Sequence, residues 1–260
     1  MKKLSITTAW NETAPFVKRQ FGLLFLIAFG LVALPTIILQ AAMPAATPGQ
    51  PPEGGSWMFL VIPVIVLGVV GSLTITSLAL ARASDAREAF LHALRRFAPV
   101  LLATLLLGLA AALVALPVAV ILVLLAGTGA GGLVLLTLAI VLAFVFVWVR
   151  MMLLNPVGAV EPIGPVAILR RSWTLTAGRF WKLLGFLVVM VILFVVVTFA
   201  VSAVLGSVII LLAGQPQDGN LTQVLLLLLN GLLNAGFSVF LTVMIARIYA
   251  QLTGEGISGS

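Results

Sequence analysis

The chain has 260 residues, of which 62% are hydrophobic and only 8% charged, and its mean hydropathy is +1.29. So few charges cannot cover the surface of a soluble domain of this length, and the composition therefore indicates an integral membrane protein. Lysine and arginine outnumber aspartate and glutamate by 14 to 7, and cysteine is absent. The lack of cysteine excludes disulfides, thiolate nucleophiles and cysteine metal sites.

Apolar stretches without acids or bases predict six membrane-spanning helices, because one crossing needs about 20 residues. The stretch 97–149 is too long for one crossing, and we expect it to fold back at a glycine-rich turn, 127–132. The alternation typical of membrane β-strands is not seen. The prediction is a single domain over 1–260, an all-α six-span transmembrane helical bundle. Its spans lie near 21–43, 57–81, 98–126, 132–154, 182–212 and 222–249.

The bases are distributed unevenly among the predicted loops. Nearly all lie before the first span, between spans two and three, between spans four and five, or at the end of the sixth. The remaining loops, 44–56, 127–132 and 214–221, contain none. By the positive-inside rule both termini of this multi-pass protein are expected to be cytoplasmic. The proline-rich loop Pro44–Gly55 is expected to be extended and mobile.

Three basic segments with an apolar stripe, near 5–19, 84–96 and 165–177, are expected to form amphipathic helices in the headgroup layer. Pro15 is expected to kink the first of them. In the second, Ser84 is the expected N-cap, and the apolar face includes Phe90 and Leu94. His92 lies on the polar face, and we expect a solvated pair with Glu88.

Phe21, Phe97 and Phe180 stand at similar spacing where these three segments reach the membrane. The rhythm suggests three hairpins, each preceded by an interfacial helix and arranged around a common axis. Any hairpin protein that obeys the positive-inside rule would show a similar rhythm. Both interpretations stay open.

The third basic segment and the residues after it form a candidate interface anchor. Tryptophan and arginine together favour the membrane interface, and clustered bases favour anionic headgroups by about 1 kcal/mol each. The candidate residues are Arg170, Arg171, Trp173, Arg179, Trp181 and Lys182.

Two further candidate sites lie in and beside the spans. An elbow with Asn155, Pro156 and Glu161 follows span four, and Glu161 is expected to pair with a nearby arginine; a functional hinge or headgroup site is the alternative. Asn230 and Asn234 share one face of span six, which is expected to turn into the bundle and form interhelical hydrogen bonds. The alternative is a polar patch that holds a lipid headgroup or lines a route.

No catalytic or metal-binding residues are predicted. The spans contain no acid and the chain has one histidine, so a carboxylate dyad, metal cage or proton relay cannot be assembled inside the membrane. The letters G-x-G-x-x-G at 127–132 lack the βαβ context that gives the motif its meaning. We expect no enzyme activity and no cofactor.

The stretch 170–176, followed by Gly178–Trp181 and Leu183–Gly185, closely resembles the cytoplasmic signature of the membrane domain of glycerophosphoryl diester phosphodiesterase and its stand-alone bacterial relatives. Asn155-Pro156, Glu161, Gly164-Pro165 and the terminal 245–249 support the resemblance. The resemblance implies a six-helix membrane domain and a location in the bacterial cytoplasmic (inner) membrane. In the enzyme, hydrolysis belongs to a separate soluble barrel with acidic metal ligands, and the 260 residues contain no such barrel.

The expected function is non-enzymatic: organising or assisting membrane lipids, or docking partner proteins. A transporter or lipid translocase is the alternative, and an intramembrane hydrolase is a weaker one. The expected partners are membrane lipids, above all anionic ones, with a protein partner or a homo-oligomer as the alternative. Nucleic acid is not an expected partner.

Overall fold

The computed structural model describes residues 5–43, 55–83, 85–125, 130–217 and 219–254. Within these ranges the chain is helical and has no strand, and six helical stretches are long and apolar enough to cross a membrane. The predicted all-α six-span bundle is confirmed. The helices are α1 (Ile6–Ala28), α2 (Leu34–Ala42), α3 (Met58–Ala79), α4 (Ala86–Leu125), α5 (Ala130–Met151), α6 (Leu154–Val160), α7 (Pro165–Thr176), α8 (Phe180–Val201), α9 (Ser207–Ala213) and α10 (Leu221–Thr253).

Most of the loops that join the spans opposite the basic segments lie outside the described residues. The predicted extended loop is described only at Gly55, and residues 127–129 of the glycine-rich turn are also outside the described residues. Helix α5 begins at Ala130, so the last glycines of the predicted turn belong to span four. We call this side of the bundle the opposite end, and the side with the basic segments the basic end.

Spans one and five each contain a π-helical turn. Phe29–Ala33 joins α1 to α2, and Ser202–Gly206 joins α8 to α9. A π-helical turn inserts an extra residue into the helix and shifts the faces on either side. Both spans therefore change face along their length.

The first basic segment is continuous with span one in α1. Ser5 caps this helix, since its side chain accepts a hydrogen bond from the Thr8 N–H. The backbone departs from helical values at Gln20, with φ −111° and ψ 19°, and not at Pro15, where the kink was expected. Proline removes one hydrogen bond but has a helical φ, so it does not by itself force a change of backbone conformation.

The second basic segment does not form a separate helix either. It is the beginning of α4, which runs for 40 residues through span three. Ser84 lies outside the described residues, and the observed cap is Asp85, whose Oδ1 accepts the Glu88 N–H at 2.8 Å. Ala89 and Ala93 are fully buried against the protein, whereas Phe90 and Leu94 of the apolar stripe are exposed, as on a face turned toward lipid.

The same arrangement recurs in all three basic segments. Each buries two small side chains one helical turn apart and exposes the aromatic that follows the first of them. The buried pairs are Ala9 with Thr13, Ala89 with Ala93, and Ser172 with Thr176, and the exposed aromatics are Trp10, Phe90 and Trp173. Small residues let neighbouring helices approach closely, while the aromatics remain outside the protein core.

The bundle is built around spans one, two and six. α1 packs along α10, α3 packs along α4, and α10 also contacts α3. Two glycines mark close approaches to span one: a Cβ at Gly71 would lie 3.0 Å from the Leu31 and Val32 side chains, and one at Gly231 would collide with Ile37. Span one is therefore held between spans two and six on both sides of its π-helical turn.

The predicted elbow is a short helix, α6, that closes the basic end of the bundle. It packs against α3, α4, α7 and α10, and Pro156 through Ala159 are buried. After α7 the chain turns at Gly178, whose φ of +74° is readily adopted only by glycine, and α8 begins two residues later. The segment 165–177 is thus the one basic segment that forms a helix separate from its span.

Candidate functional site

A cluster of three polar side chains, which we call the elbow clamp, ties α6 to α7 and α10. The Glu161 carboxylate, just after α6, accepts a hydrogen bond from Arg171 Nε at 2.9 Å and another from the Tyr249 hydroxyl at 3.0 Å. Both donors reach the same oxygen, Oε1. Tyr249 is 1% exposed, whereas the Arg171 side chain is 44% exposed. The clamp therefore joins a buried hydrogen bond to an exposed ion pair.

The expected pairing of Glu161 with an arginine is thus made by Arg171. The other elbow residues have structural contacts of their own. Asn155 Nδ2 donates to Ser72 Oγ at 3.3 Å, and Pro156 is buried. His92 was not expected at the elbow, yet its Nε2 lies 2.8 Å from the Ala159 carbonyl oxygen near the end of α6. The prediction that His92 is a solvated partner of Glu88 missed this contact.

Arg150, in the last turn of α5, lies in an aromatic cage formed by Phe146, Trp173 and Phe180. Its guanidinium carbon is 4.9 Å from the Trp173 ring centre, 5.3 Å from that of Phe146 and 5.9 Å from that of Phe180. A cation within about 6 Å of an aromatic face is attracted by the ring quadrupole. The cage brings together α5, α7 and α8 at the basic end.

The backbone of Arg150 also contacts α7. Its carbonyl oxygen accepts hydrogen bonds from Ser172 Oγ at 2.9 Å and from Thr176 Oγ1 at 3.3 Å. These two hydroxyls are the buried small residues of α7, so the face that packs α7 also fixes the end of α5. This explains why polar residues occupy the buried face of this segment.

The guanidinium of Arg150 retains unused donors. Its Nε and Nη1 atoms are buried and have no hydrogen-bond partner among the described residues. A buried donor without a partner is unfavourable, and guanidinium donors match the oxygens of carboxylate and phosphate groups. Arg150 was not among the predicted site residues. Phe146 lies one helical turn before Arg150, so this single contact could be expected from the sequence. The rings of Trp173 and Phe180 come from another part of the chain.

The predicted anchor residues lie on α7, just before α8 and in the first turn of α8. These two helices also carry the Trp173 and Phe180 rings of the cage. Arg170, Arg171, Trp173 and Lys182 are exposed, and Trp181 is 80% exposed. Arg179 is half-buried, and its Nη1 donates to the Leu175 carbonyl at 3.5 Å. The structure therefore brings a caged arginine, exposed bases and exposed tryptophans together in one corner, which we call the α7–α8 corner.

A second arginine at the basic end is enclosed in a similar way. Arg247 of α10 is 9% exposed, its guanidinium carbon lies 5.0 Å from the Phe16 ring centre, and its Nε has no partner among the described residues. It lies where α1 packs along α10. Arg247 is not part of the α7–α8 corner.

The predicted intramembrane asparagines line a cavity near the opposite end. This cavity, of about 310 Å³, lies between spans one, five and six. Asn230 and Asn234 are exposed to it, while the adjacent Gly231 and Ala235 are buried. Asn230 Nδ2 donates to the Leu226 carbonyl of its own helix at 2.9 Å, not to another helix as expected. The other lining residues are Ala33, Thr36, Ile37, Gln40, Phe194, Thr198 and Leu227.

In the part of the chain that the structure describes, no group of three or more histidine, aspartate or glutamate side chains could hold a metal ion. The two regions differ in chemistry: guanidinium donors lie at the basic end, and neutral amides and hydroxyls lie at the opposite end.

A family model described as "Domain of unknown function (DUF7847)" matches residues 13–252, which is most of the chain. No curated protein and no solved structure is significantly similar to the chain.

Proposed function

The protein belongs to this family of unknown function, and we propose that it is a non-enzymatic membrane protein whose basic end binds anionic lipid headgroups and thereby organises lipid around the bundle. One observation carries the proposal: the caged guanidinium of Arg150, with two unpartnered nitrogens, lies beside the exposed bases of α7 and α8.

The cage favours a phosphate over a carboxylate side chain from the protein itself. Glu161, the acid at the elbow, already accepts hydrogen bonds from Arg171 and Tyr249. The planar fork of an arginine holds phosphate oxygens through paired donors, and aromatic faces keep the guanidinium oriented without neutralising it. Both unpartnered nitrogens of Arg150 are buried, so a lipid phosphate would receive these donors, which the protein otherwise leaves unused, only after the surrounding side chains move to admit it.

Exposed bases around the cage would attract an anionic headgroup without fixing its orientation. Arg170 and Lys182 are exposed, and each base near an anionic surface contributes about 1 kcal/mol. Trp173 and Trp181 are exposed beside them, as tryptophans at the headgroup level are. The basic end is proposed to face the cytoplasm, and the bacterial inner membrane is the proposed location. The residues that resemble the phosphodiesterase membrane domain, 170–176 and Gly178–Trp181, lie in this same corner. The resemblance agrees with a lipid-linked role.

The proposal is tested by the lipids that copurify with the protein. The test variant replaces the four bases of the corner, Arg170, Arg171, Arg179 and Lys182, with glutamine. The matched control replaces four exposed bases of the other basic segments, Lys18, Arg19, Arg87 and Arg95, with glutamine. Both variants remove the same charge, so non-specific attraction falls equally. Anionic lipid is expected to decrease by about tenfold more in the test variant, and phosphatidylethanolamine in neither.

A conservative variant distinguishes the effect of the planar guanidinium of Arg150 from the effect of its positive charge. Arg150→Lys keeps the cation in the cage but removes the planar fork, so we expect loss of anionic lipid without loss of folding. Equal lipid content in the test, control and Arg150→Lys proteins would leave only topological anchoring as the role of these bases. Movement of labelled lipid between leaflets in purified liposomes would instead support the translocase.

A further inference from the structure

The cavity at the opposite end is polar on three sides although it lies among membrane-spanning helices. Thr36 and Gln40 come from span one, Thr198 from span five, and Asn230 and Asn234 from span six. Its volume of about 310 Å³ is far larger than one water molecule needs, which is about 10–15 Å³ by a comparable measure. The cavity has room for a group of the size of a small polyol.

The side chains around the cavity have spare hydrogen-bonding capacity. Thr36 Oγ1 donates to the Val32 carbonyl at 2.7 Å, which leaves its oxygen free to accept. Asn230 uses one N–H on the Leu226 carbonyl, and its amide has a second N–H and a carbonyl oxygen besides. Thr198 Oγ1 is buried and has no partner among the described residues. Donors and acceptors are thus both available inside one space.

The chemistry of the lining selects against two kinds of occupant. An acyl chain would leave the amides and the Thr198 hydroxyl without partners, which is unfavourable in a low-dielectric surrounding. A charged group would lose its hydration, and none of the lining residues carries a charge to compensate. The occupant that satisfies the lining is uncharged and carries several hydroxyl groups.

The backbone around the cavity is specialised as well. The π-helical turn of span one ends at Ala33, which lines the cavity, and that of span five begins four residues after Thr198. Such turns inside α-helices occur frequently at functional sites. Here they change the faces of spans one and five next to span six, where Gly231 allows close contact with Ile37. The cavity is therefore bounded by helices whose faces shift beside it.

We infer that this cavity binds an uncharged polyol group, supplied either by the headgroup of a glycolipid or by a free polyol. Asn230 and Asn234, one helical turn apart, hold neighbouring hydroxyls, and Thr198 holds a third from the facing helix. This site is separate from the α7–α8 corner in position and in chemistry.

The binding test uses native mass spectrometry in a detergent without a sugar headgroup, with glucosyl diacylglycerol, the matching diacylglycerol and methyl glucoside as probes. The wild-type protein should retain the glucosyl lipid at least about tenfold more strongly than diacylglycerol. Displacement of that lipid by excess methyl glucoside would assign the site to free polyols as well as headgroups. Persistence of the lipid under that excess would assign it to the lipid-linked headgroup alone.

Two threonine variants form the matched pair. Thr198→Val removes the buried hydroxyl in the cavity, and Thr104→Val removes a hydroxyl that donates to the Val100 carbonyl of its own helix away from the cavity. Only Thr198→Val should weaken retention, by about tenfold, and Asn230→Leu with Asn234→Leu should abolish it. Unchanged retention in Thr198→Val, or no preference of the wild type for the glucosyl lipid, would overturn the inference. The corner variant with four glutamines should bind the glucosyl lipid normally, so this site is tested independently of the basic end.

Discussion

Removing the Tyr249 hydroxyl is the most informative perturbation of the elbow clamp, because this hydroxyl connects the last turns of α10 to the elbow. Tyr249→Phe keeps the ring of a side chain that is 1% exposed and removes its donor to Glu161 Oε1. A hydrogen bond to a charged acceptor contributes about 1.5–3 kcal/mol. Arg171 still donates to the same oxygen, so the carboxylate is not orphaned and the expected loss is about 1–2 kcal/mol.

Arg171→Gln provides the comparison within the same clamp. The Arg171 side chain is 44% exposed, and exposed ion pairs contribute about 0–1 kcal/mol, so this change should destabilise the protein less than Tyr249→Phe. The double variant should lose more than the sum of the single ones, because Glu161 then lies without either donor while 22% exposed.

The assay is equilibrium unfolding of the purified proteins in mixed micelles, followed by tryptophan fluorescence. The order of stability should be wild type, then Arg171→Gln, then Tyr249→Phe, then the double variant. If Arg171→Gln proved as destabilising as Tyr249→Phe, the clamp would depend on its exposed ion pair, and the reasoning from burial would be refuted.

Three further outcomes are expected. Gly158→Ala should destabilise the protein by about 1–3 kcal/mol, because the added Cβ would collide with the Val100 side chain. Adding Val100→Ala should restore part of this stability in unfolding experiments. A double variant less stable than both single variants would contradict the close contact. His92→Ala should remove the hydrogen bond to α6 and lower the stability of the protein by about 1 kcal/mol. An unchanged unfolding curve would instead indicate that His92 is solvated and does not stabilise α6. Reporters fused after Glu53 or Asp218 should be periplasmic and one at the C-terminus cytoplasmic; a cytoplasmic signal after Asp218 would contradict the proposed orientation.

The six spans could be predicted because the length of an apolar stretch decides whether it can cross a membrane. The boundary between α7 and α8 was also readable, since Gly178 allows a backbone conformation that other residues avoid. These features depend on local sequence alone.

The packed faces of the basic segments could not be read in the same way. An apolar stripe in a membrane protein can face either lipid or protein, so Phe90 and Leu94 gave no direction. The small residues Ala89 and Ala93 were the better signal, because close helix packing requires small side chains. Hydrophobicity alone therefore left open which face packs against the protein.

The cage around Arg150 depends on contacts between distant parts of the chain. Trp173 and Phe180 reach it only because α7 folds back against the end of α5, where Ser172 and Thr176 bind the Arg150 carbonyl. The contact between His92 and Ala159 is of the same kind. The asparagines of span six were recognised as unusual, but their cavity required the positions of spans one and five.

The most direct test of headgroup binding at the basic end is a high-resolution density map of the protein in nanodiscs that contain both phosphatidylglycerol and phosphatidylethanolamine. Density for a phosphate is expected within hydrogen-bonding distance of Arg150, and this density should be lost in Arg150→Lys while the helices α5, α7 and α8 keep their positions. A corner filled only by protein or by acyl chains, with headgroups distributed evenly around the bundle, would contradict a specific anionic lipid site.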